Sequence, residues 1–157
     1  MLLTPDDVAI ILRTPLFSDL DEAQAVPLLR GARVRDYADE SLLFSAGDRA
    51  DHFYVVLRGS VRLFALNEEG DETIIEVIGA GNSFAEGAIF GAGRYPVHAE
   101  AFAGARIVSI SAAPLLDALR SDCSLAIAVL ASLCRWQLDL MAEIRRLKAQ
   151  APAQRLA

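Results

Sequence analysis

Basic residues are in short supply. Fifteen Lys and Arg face 21 Asp and Glu, for a formal charge of −6 and a pI near 4.9. Broad nucleic-acid binding needs clustered cations to neutralise phosphates, so a surface this acidic excludes it for the domain as a whole. The basic residues that do cluster, Arg145, Arg146 and Lys148, sit near the C-terminus. Cysteine is almost absent. Cys123 and Cys134 fall eleven residues apart in one expected helix, about 16 Å along its axis, too far to bridge. That pattern fits a reduced, cytoplasmic protein. No apolar run reaches the ~18–20 residues of a membrane span. The opening MLLTPDDVAIILR lacks a basic leader region and a small-residue cleavage site. Histidine is rarer still: His52 and His98 stand alone, with no His-x-His pair to hold a metal. No His/Cys/Ser grouping with a plausible base appears, so an enzyme is not expected.

Apolar residues make up 54 % of the 157 positions and charged residues 23 %. That is enough for one sizeable core. Thr4 to Arg13 reads as an amphipathic helix, with Thr4 as cap and Pro5 at its first position. A second helix is expected from about Asp21 to Arg30, ended by Gly31. From Ala32 the period becomes two. Segments 32–37, parts of 40–44, and 60–66 alternate, 52–57 is rich in Val, Phe and Tyr, 72–78 is β-branched, and 98–102 and 106–111 add two short strands, with turn signals every 8–12 residues. That spacing predicts a mainly β chain folded as an antiparallel sandwich or barrel. In 60–66 the alternation puts Val61, Leu63 and Ala65 on one face and Arg62 and Phe64 on the other. Gly70 supplies the positive φ of a hairpin tip.

Segment 79–101, GAGNSFAEGAIFGAGRYPVHAEA, interrupts the ladder. It contains a short apolar turn over 86–90, a Gly91-Ala92-Gly93 break and an Arg94-Tyr95-Pro96 corner. Its exposed amides fit either an anion cradle or a corner of the barrel. After Ser111 helices return: a short one opened by Pro114, over Leu115 to Arg120, then a long one from Cys123 to about Gln150, capped by Ser121 or Asp122. Ala151-Pro152 is expected to end it. Leu130, Leu133, Gln137, Leu140, Ile144 and Leu147 form an a/d seam with one polar residue, Gln137, to fix register. The seam can pack on the barrel or pair with the same helix of a second subunit. Ala126, Val129, Ala131 and Trp136 widen the apolar surface enough for both.

Three stretches carry a family resemblance: Leu43-Phe44 before Ala46-Gly47-Asp48, the run Phe53-Tyr54-Val55-Val56-Leu57-Arg58-Gly59-Ser60-Val61-Arg62-Leu63, and Phe84-Ala85-Glu86. Together they resemble the sensory domain of the Crp/Fnr family of bacterial transcription regulators. The resemblance implies a double-stranded antiparallel jelly roll of the cyclic-nucleotide-binding fold, followed by a homodimerising helix. It also implies a division into N-terminal helices (1–31), a β-roll (32–112), short and long helices (113–150) and, at 151–157, the hinge to a helix-turn-helix domain that the chain does not contain. DNA would be reached only through that domain. The implied partners are a second copy and a small-molecule effector, with no membrane.

The implied effector residues are Phe84, Ala85, Glu86, Gly87, Ala88, Arg94, Tyr95, Pro96 and Val97. In cAMP-binding members a glutamate at the Glu86 position holds the ribose and an arginine pairs with the cyclic phosphate. Here the arginine motif is replaced by Arg94-Tyr95-Pro96-Val97, one residue off register, and Ala85 stands in place of glycine. The Phe-Ala-Glu and Tyr-Pro-Val pieces look more like the dissimilatory nitrate respiration regulators, which implies haem and nitric oxide as effector, with cAMP as the alternative. Haem is expected between roll and long helix, near Phe84, Phe90 and Leu133, with the effector facing helix residues near Trp136. The cysteine cluster of the iron–sulfur branch has no counterpart.

Overall fold

The computed structural model describes residues 2–156, and side chains of 2–150. Helix α1 (Pro5–Leu12) starts as its sequence dictates. The Asp7 amide donates to Thr4 Oγ1 at 3.1 Å and the Thr4 amide donates to Asp7 Oδ2 at 2.9 Å, a reciprocal capping box. Asp7 is 5 % exposed, and the Arg106 guanidinium, 2.7 Å from Asp7 Oδ2, holds its carboxyl below the ordinary value. The second expected helix is shorter than its pattern. It is helical only over α2 (Glu22–Ala25) and tightens to a 3₁₀ turn at Val26–Leu29. Pro27 is the reason: it has no N–H to give to a carbonyl one turn back.

Eight strands follow: β1 (Arg33–Asp36), β2 (Ser41–Phe44), β3 (His52–Arg58), β4 (Ser60–Leu66), β5 (Glu72–Gly79), β6 (Ser83–Phe84), β7 (His98–Ala101) and β8 (Arg106–Ser111). They form two antiparallel four-stranded sheets, ordered β1-β8-β3-β6 and β2-β7-β4-β5. A first core, including Phe53, Val55, Val108 and Ile110, lies between the outer face of the first sheet and the helices. A second core, including Phe44, Val56, Val61, Phe84 and Ile107, fills the space between the sheets. In β4 the expected alternation holds: Val61 and Leu63 pack in the second core, while Phe64, 5 % exposed, lies on the other face, stacked on His98 with Arg62 over its ring. The outer strand β5 buries little, and Ile74, Ile75 and Val77 are each more than half exposed.

Helix α4 (Ala112–Ser121) begins two residues before Pro114. Helix α5 (Cys123–Leu156) is capped by Asp122, whose Oδ1 accepts from the Leu125 amide at 3.1 Å. It does not stop at Ala151-Pro152: one proline deletes one hydrogen bond, and the helical backbone continues to Leu156. The side chains of 151–157 lie outside the described residues. Only the first third of α5 is docked. Leu125, Val129 and Ser132 are buried against the first core, with Ser132 Oγ accepting from the Asp19 amide at 2.8 Å and Arg135 paired with Asp19. From Cys134 to Gln150 every residue is exposed. Over Cys123–Gln150 the helix carries a window of mean hydropathy 1.4, long and apolar enough to cross a membrane by composition. The sequence reading finds no such run because Arg135 and Asp139 interrupt it.

Candidate functional site

The interrupting segment folds into a small wall at one end of the second core. After β6 the chain enters a five-residue helix, α3 (Glu86–Phe90). Ala85 starts it at φ +74°, the one described non-glycine residue with positive φ. An alanine held there costs about 1–2 kcal/mol. The helix sits between the two cores: Ala88 faces the interior of the roll, Ile89 faces the cluster that holds Leu125 and Val129 of α5, and Ala85 touches both.

Beneath α3 is a cavity of about 250 Å³. Seven of the nine cassette residues named from sequence line it: Phe84, Ala85, Gly87, Ala88, Tyr95, Pro96 and Val97. Phe44 and Leu63 complete the wall. Neither was selected from sequence, although Phe44 stands in the quoted Leu43-Phe44 motif. Tyr95 organises the site. Its ring, 4 % exposed, stacks on Phe44 with centroids 3.7 Å apart. Its hydroxyl donates to the His52 carbonyl at 2.7 Å and accepts from the His52 amide at 3.3 Å. Its backbone bonds the 45–48 turn, with Gly47 N–H to Tyr95 O at 2.8 Å and Tyr95 N–H to Asp48 O at 3.0 Å. Phe84 and Tyr54 extend the aromatic stack, their centroids 5.1 Å apart, and burial pushes the Tyr54 hydroxyl's pKa up.

The two charged candidates turn elsewhere. Glu86 is not on the cavity wall. One carboxylate oxygen accepts from Ser83 Oγ at 3.1 Å, while Oε1 is buried with no hydrogen-bond partner. Burial raises its pKa above the ordinary value, against the pull of its own backbone and of Ser83. Arg94 donates to the Gly47 carbonyl at 2.8 Å and bridges to Arg49 on the surface. The cavity is therefore apolar and uncharged among the described residues. Among the described residues its lining offers no cation to meet an anion.

A sequence profile of the cyclic nucleotide-binding domain matches residues 34–122. The chain belongs to the cyclic nucleotide-binding domain family. DNR from Pseudomonas aeruginosa superposes on this domain with a TM-score of 0.81 at 28 % identity, covering 94 % of this chain and 65 % of that one. The separate sensor domain of the transcriptional regulator DNR gives a TM-score of 0.70 at 28 % identity, covering 86 % and 91 %. CRP from Haemophilus influenzae, a cAMP-activated global transcriptional regulator, is 35 % identical over 65 residues, or 41 % of this chain and 29 % of that protein. A CRP-like cAMP-activated regulator from Mycobacterium tuberculosis is 25 % identical over 112 residues, or 71 % and 48 %. The domain thus spans between 29 and 48 % of the length of these curated relatives.

Membership makes the departures sharper. Tyr95 stacks on Phe44 in the cavity wall and Arg94 turns to the Gly47 carbonyl, so among the described residues no arginine lines the cassette cavity to meet a cyclic phosphate. Haem fits no better. The expected haem residues do not converge: Phe84 lies in the second core, Leu133 packs on the first, and Phe90 is 42 % exposed. Among the described residues no histidine, cysteine or methionine lines the cavity. His98 Nδ1 already accepts from the Ala46 amide at 3.1 Å. Among the described residues no group of three His, Cys, Asp or Glu is placed to hold a metal. No described residue of α5 lines the cavity.

Proposed function

We propose that the domain is the effector-sensing and dimerising module of a Crp/Fnr-type transcription regulator working in the cytoplasm. One observation carries this reading: α5 docks by its first third and then projects, with Leu130, Leu140, Ile144 and Leu147 each 43–55 % exposed along one stripe. A single chain leaves that seam in water. A second copy of the helix covers it, with Gln137 as the polar register residue. Leu133, named from sequence as part of the seam, is partly buried on the chain's own core and so anchors the helix instead.

The rest of the reading follows from α3. Ala88 faces the cavity and Ile89 faces the cluster under α5, so a ligand that displaces α3 works directly on the root of the projecting helix. In a complete regulator, that displacement would reset the spacing of two DNA-reading heads about 34 Å apart. The effector we favour is a small uncharged molecule, because the cavity is about 250 Å³ and no charged side chain lines it. The branch that resembles the nitrate respiration regulators is supported by the Phe84-Ala85-Glu86 and Tyr95-Pro96-Val97 pieces alone. The test is amide mapping by NMR with neutral probes and with cAMP. Neutral ligands should move residues 84–97 and then 125–133, and cAMP should not. Saturable cAMP shifts at 84–97, lost in Arg94→Ala, would reject the uncharged effector.

A further inference from the structure

A second concavity, of about 1070 Å³, opens between the inner face of β1-β8-β3 and strand β2, and shares no lining residue with the cassette cavity. Its floor is fixed by register. Arg33 pairs with Ser109, which pairs with Tyr54, and Arg35 pairs with Ile107. His52 pairs with Ser111 in the neighbouring row. Opposed residues on one face lie ~5 Å apart, so Arg33, Ser109 and Tyr54 form a continuous polar row. Arg30 stands at the rim.

The charge there is anomalous. The chain is acidic overall, and elsewhere most described arginines find carboxylates, among them Arg62 with Glu72 and Glu100 and Arg106 with Asp7 and Asp36, while Arg13, Arg94 and Arg145 stand apart singly. Arg30, Arg33 and Arg35 line the groove with no carboxylate among the lining residues and no ion pair to any described residue. Arg35 lies over the Tyr37 ring, 5.2 Å from its centroid. The hydroxyls of Ser109 and Ser111 make no hydrogen bond within the described chain. Two like charges two residues apart on one strand face repel each other, and an anion between them removes that cost. Guanidinium forks and free hydroxyls are the donor set for phosphate oxygens.

We infer that this groove binds a small organic phosphate, its phosphate group between Arg33 and Arg35 and its organic part against Tyr37 and Tyr54. This site does not rest on the sensory reading, and it shares no lining residue with the cassette cavity, although that cavity's Phe84 stacks on Tyr54. The serine floor and the aromatic wall favour a small molecule over a flat contact with an acidic protein segment.

The experiment is calorimetry and amide mapping on the whole chain with adenosine 5′-monophosphate, inorganic pyrophosphate and a tetraglutamate peptide. Adenosine monophosphate should bind saturably and more weakly as salt rises. Arg33→Gln and Arg35→Gln should each weaken it about tenfold, the double variant should abolish it, and Arg94→Gln should leave it unchanged. Amide shifts in the unsubstituted protein should gather at 33–37 and 107–111, which stands even if a variant misfolds. No saturable heat, shifts gathered at 84–97, or tetraglutamate binding as tightly as the nucleotide would each overturn the proposal. Self-association of the chain is measured separately and is unaffected by any of these outcomes.

Discussion

Removing one oxygen from Tyr95 tests how the cassette is held. Tyr95→Phe keeps the ring, its 3.7 Å stack on Phe44 and the backbone bonds to Gly47 and Asp48. It deletes only the hydroxyl that donates to the His52 carbonyl at 2.7 Å and accepts from the His52 amide at 3.3 Å. The short bond contributes about 1 kcal/mol and the long one about half that, so the expected loss is about 1.5 kcal/mol. For a chain of this size that is a fall of about 3–6 °C in melting temperature. Tyr95→Ala, which also empties the space under Phe44, should lose about 3–5 kcal/mol. Urea unfolding at constant m-value measures both, and hydrogen exchange should show amides of 93–97 opening faster in Tyr95→Phe. If Tyr95→Phe unfolds within about 0.3 kcal/mol of the unsubstituted chain, the hydroxyl clamp is not what fixes the corner.

Three other outcomes follow from the same geometry. Gly59 holds φ +77°, and a Cβ there would sit 2.8 Å from the Ala105 Cα, whereas Gly70 at φ +85° has open space around it. Gly70→Ala should therefore cost about 1–2 kcal/mol and Gly59→Ala clearly more, compared by thermal melts. Burial raises the Glu86 pKa, so the folded chain binds a proton that the unfolded chain has lost in the window above the ordinary carboxylate value. Stability from this group is full below that window and falls as pH rises through it, so Glu86→Gln should gain on the unsubstituted chain from acidic to neutral pH in urea titrations. Asp7 works in the opposite sense: Arg106 lowers its pKa, and its contribution disappears as pH falls through the acid range. Asp7→Asn should lose stability at neutral pH and converge with the unsubstituted chain in acid.

Much of the fold was legible because its signals are local. Thr4 and Pro5 announce α1, Asp122 caps α5, and the hairpin at Gly70 needs its positive φ. What was not legible depends on partners distant in sequence. The burial of Phe64 comes from Arg62 and, across the strand pair, His98 covering its ring, which alternation within 60–66 does not encode. Pro27 tightens a helix whose apolar pattern reads straight through it. At the site, the cassette segment was legible and seven of its residues line one cavity, but side-chain direction was not. Arg94 leaves for Gly47, Glu86 for Ser83, and Leu133 turns to the core because the docked first third of α5 overlaps the start of the seam. The arginine groove escaped the sequence reading because Arg30, Arg33 and Arg35 meet Ser109 and Ser111 only through the β1–β8 and β3–β8 pairings.

The measurement that bears most directly on the account is the solution mass by sedimentation equilibrium, for the unsubstituted chain and for a Leu140→Glu/Ile144→Glu double variant. A mass of twice 16.9 kDa that falls to 16.9 kDa in the variant, with unchanged circular dichroism of the roll, is the result the account predicts. A 16.9 kDa species at every concentration for the unsubstituted chain, or a dimer that survives both glutamates, would contradict it.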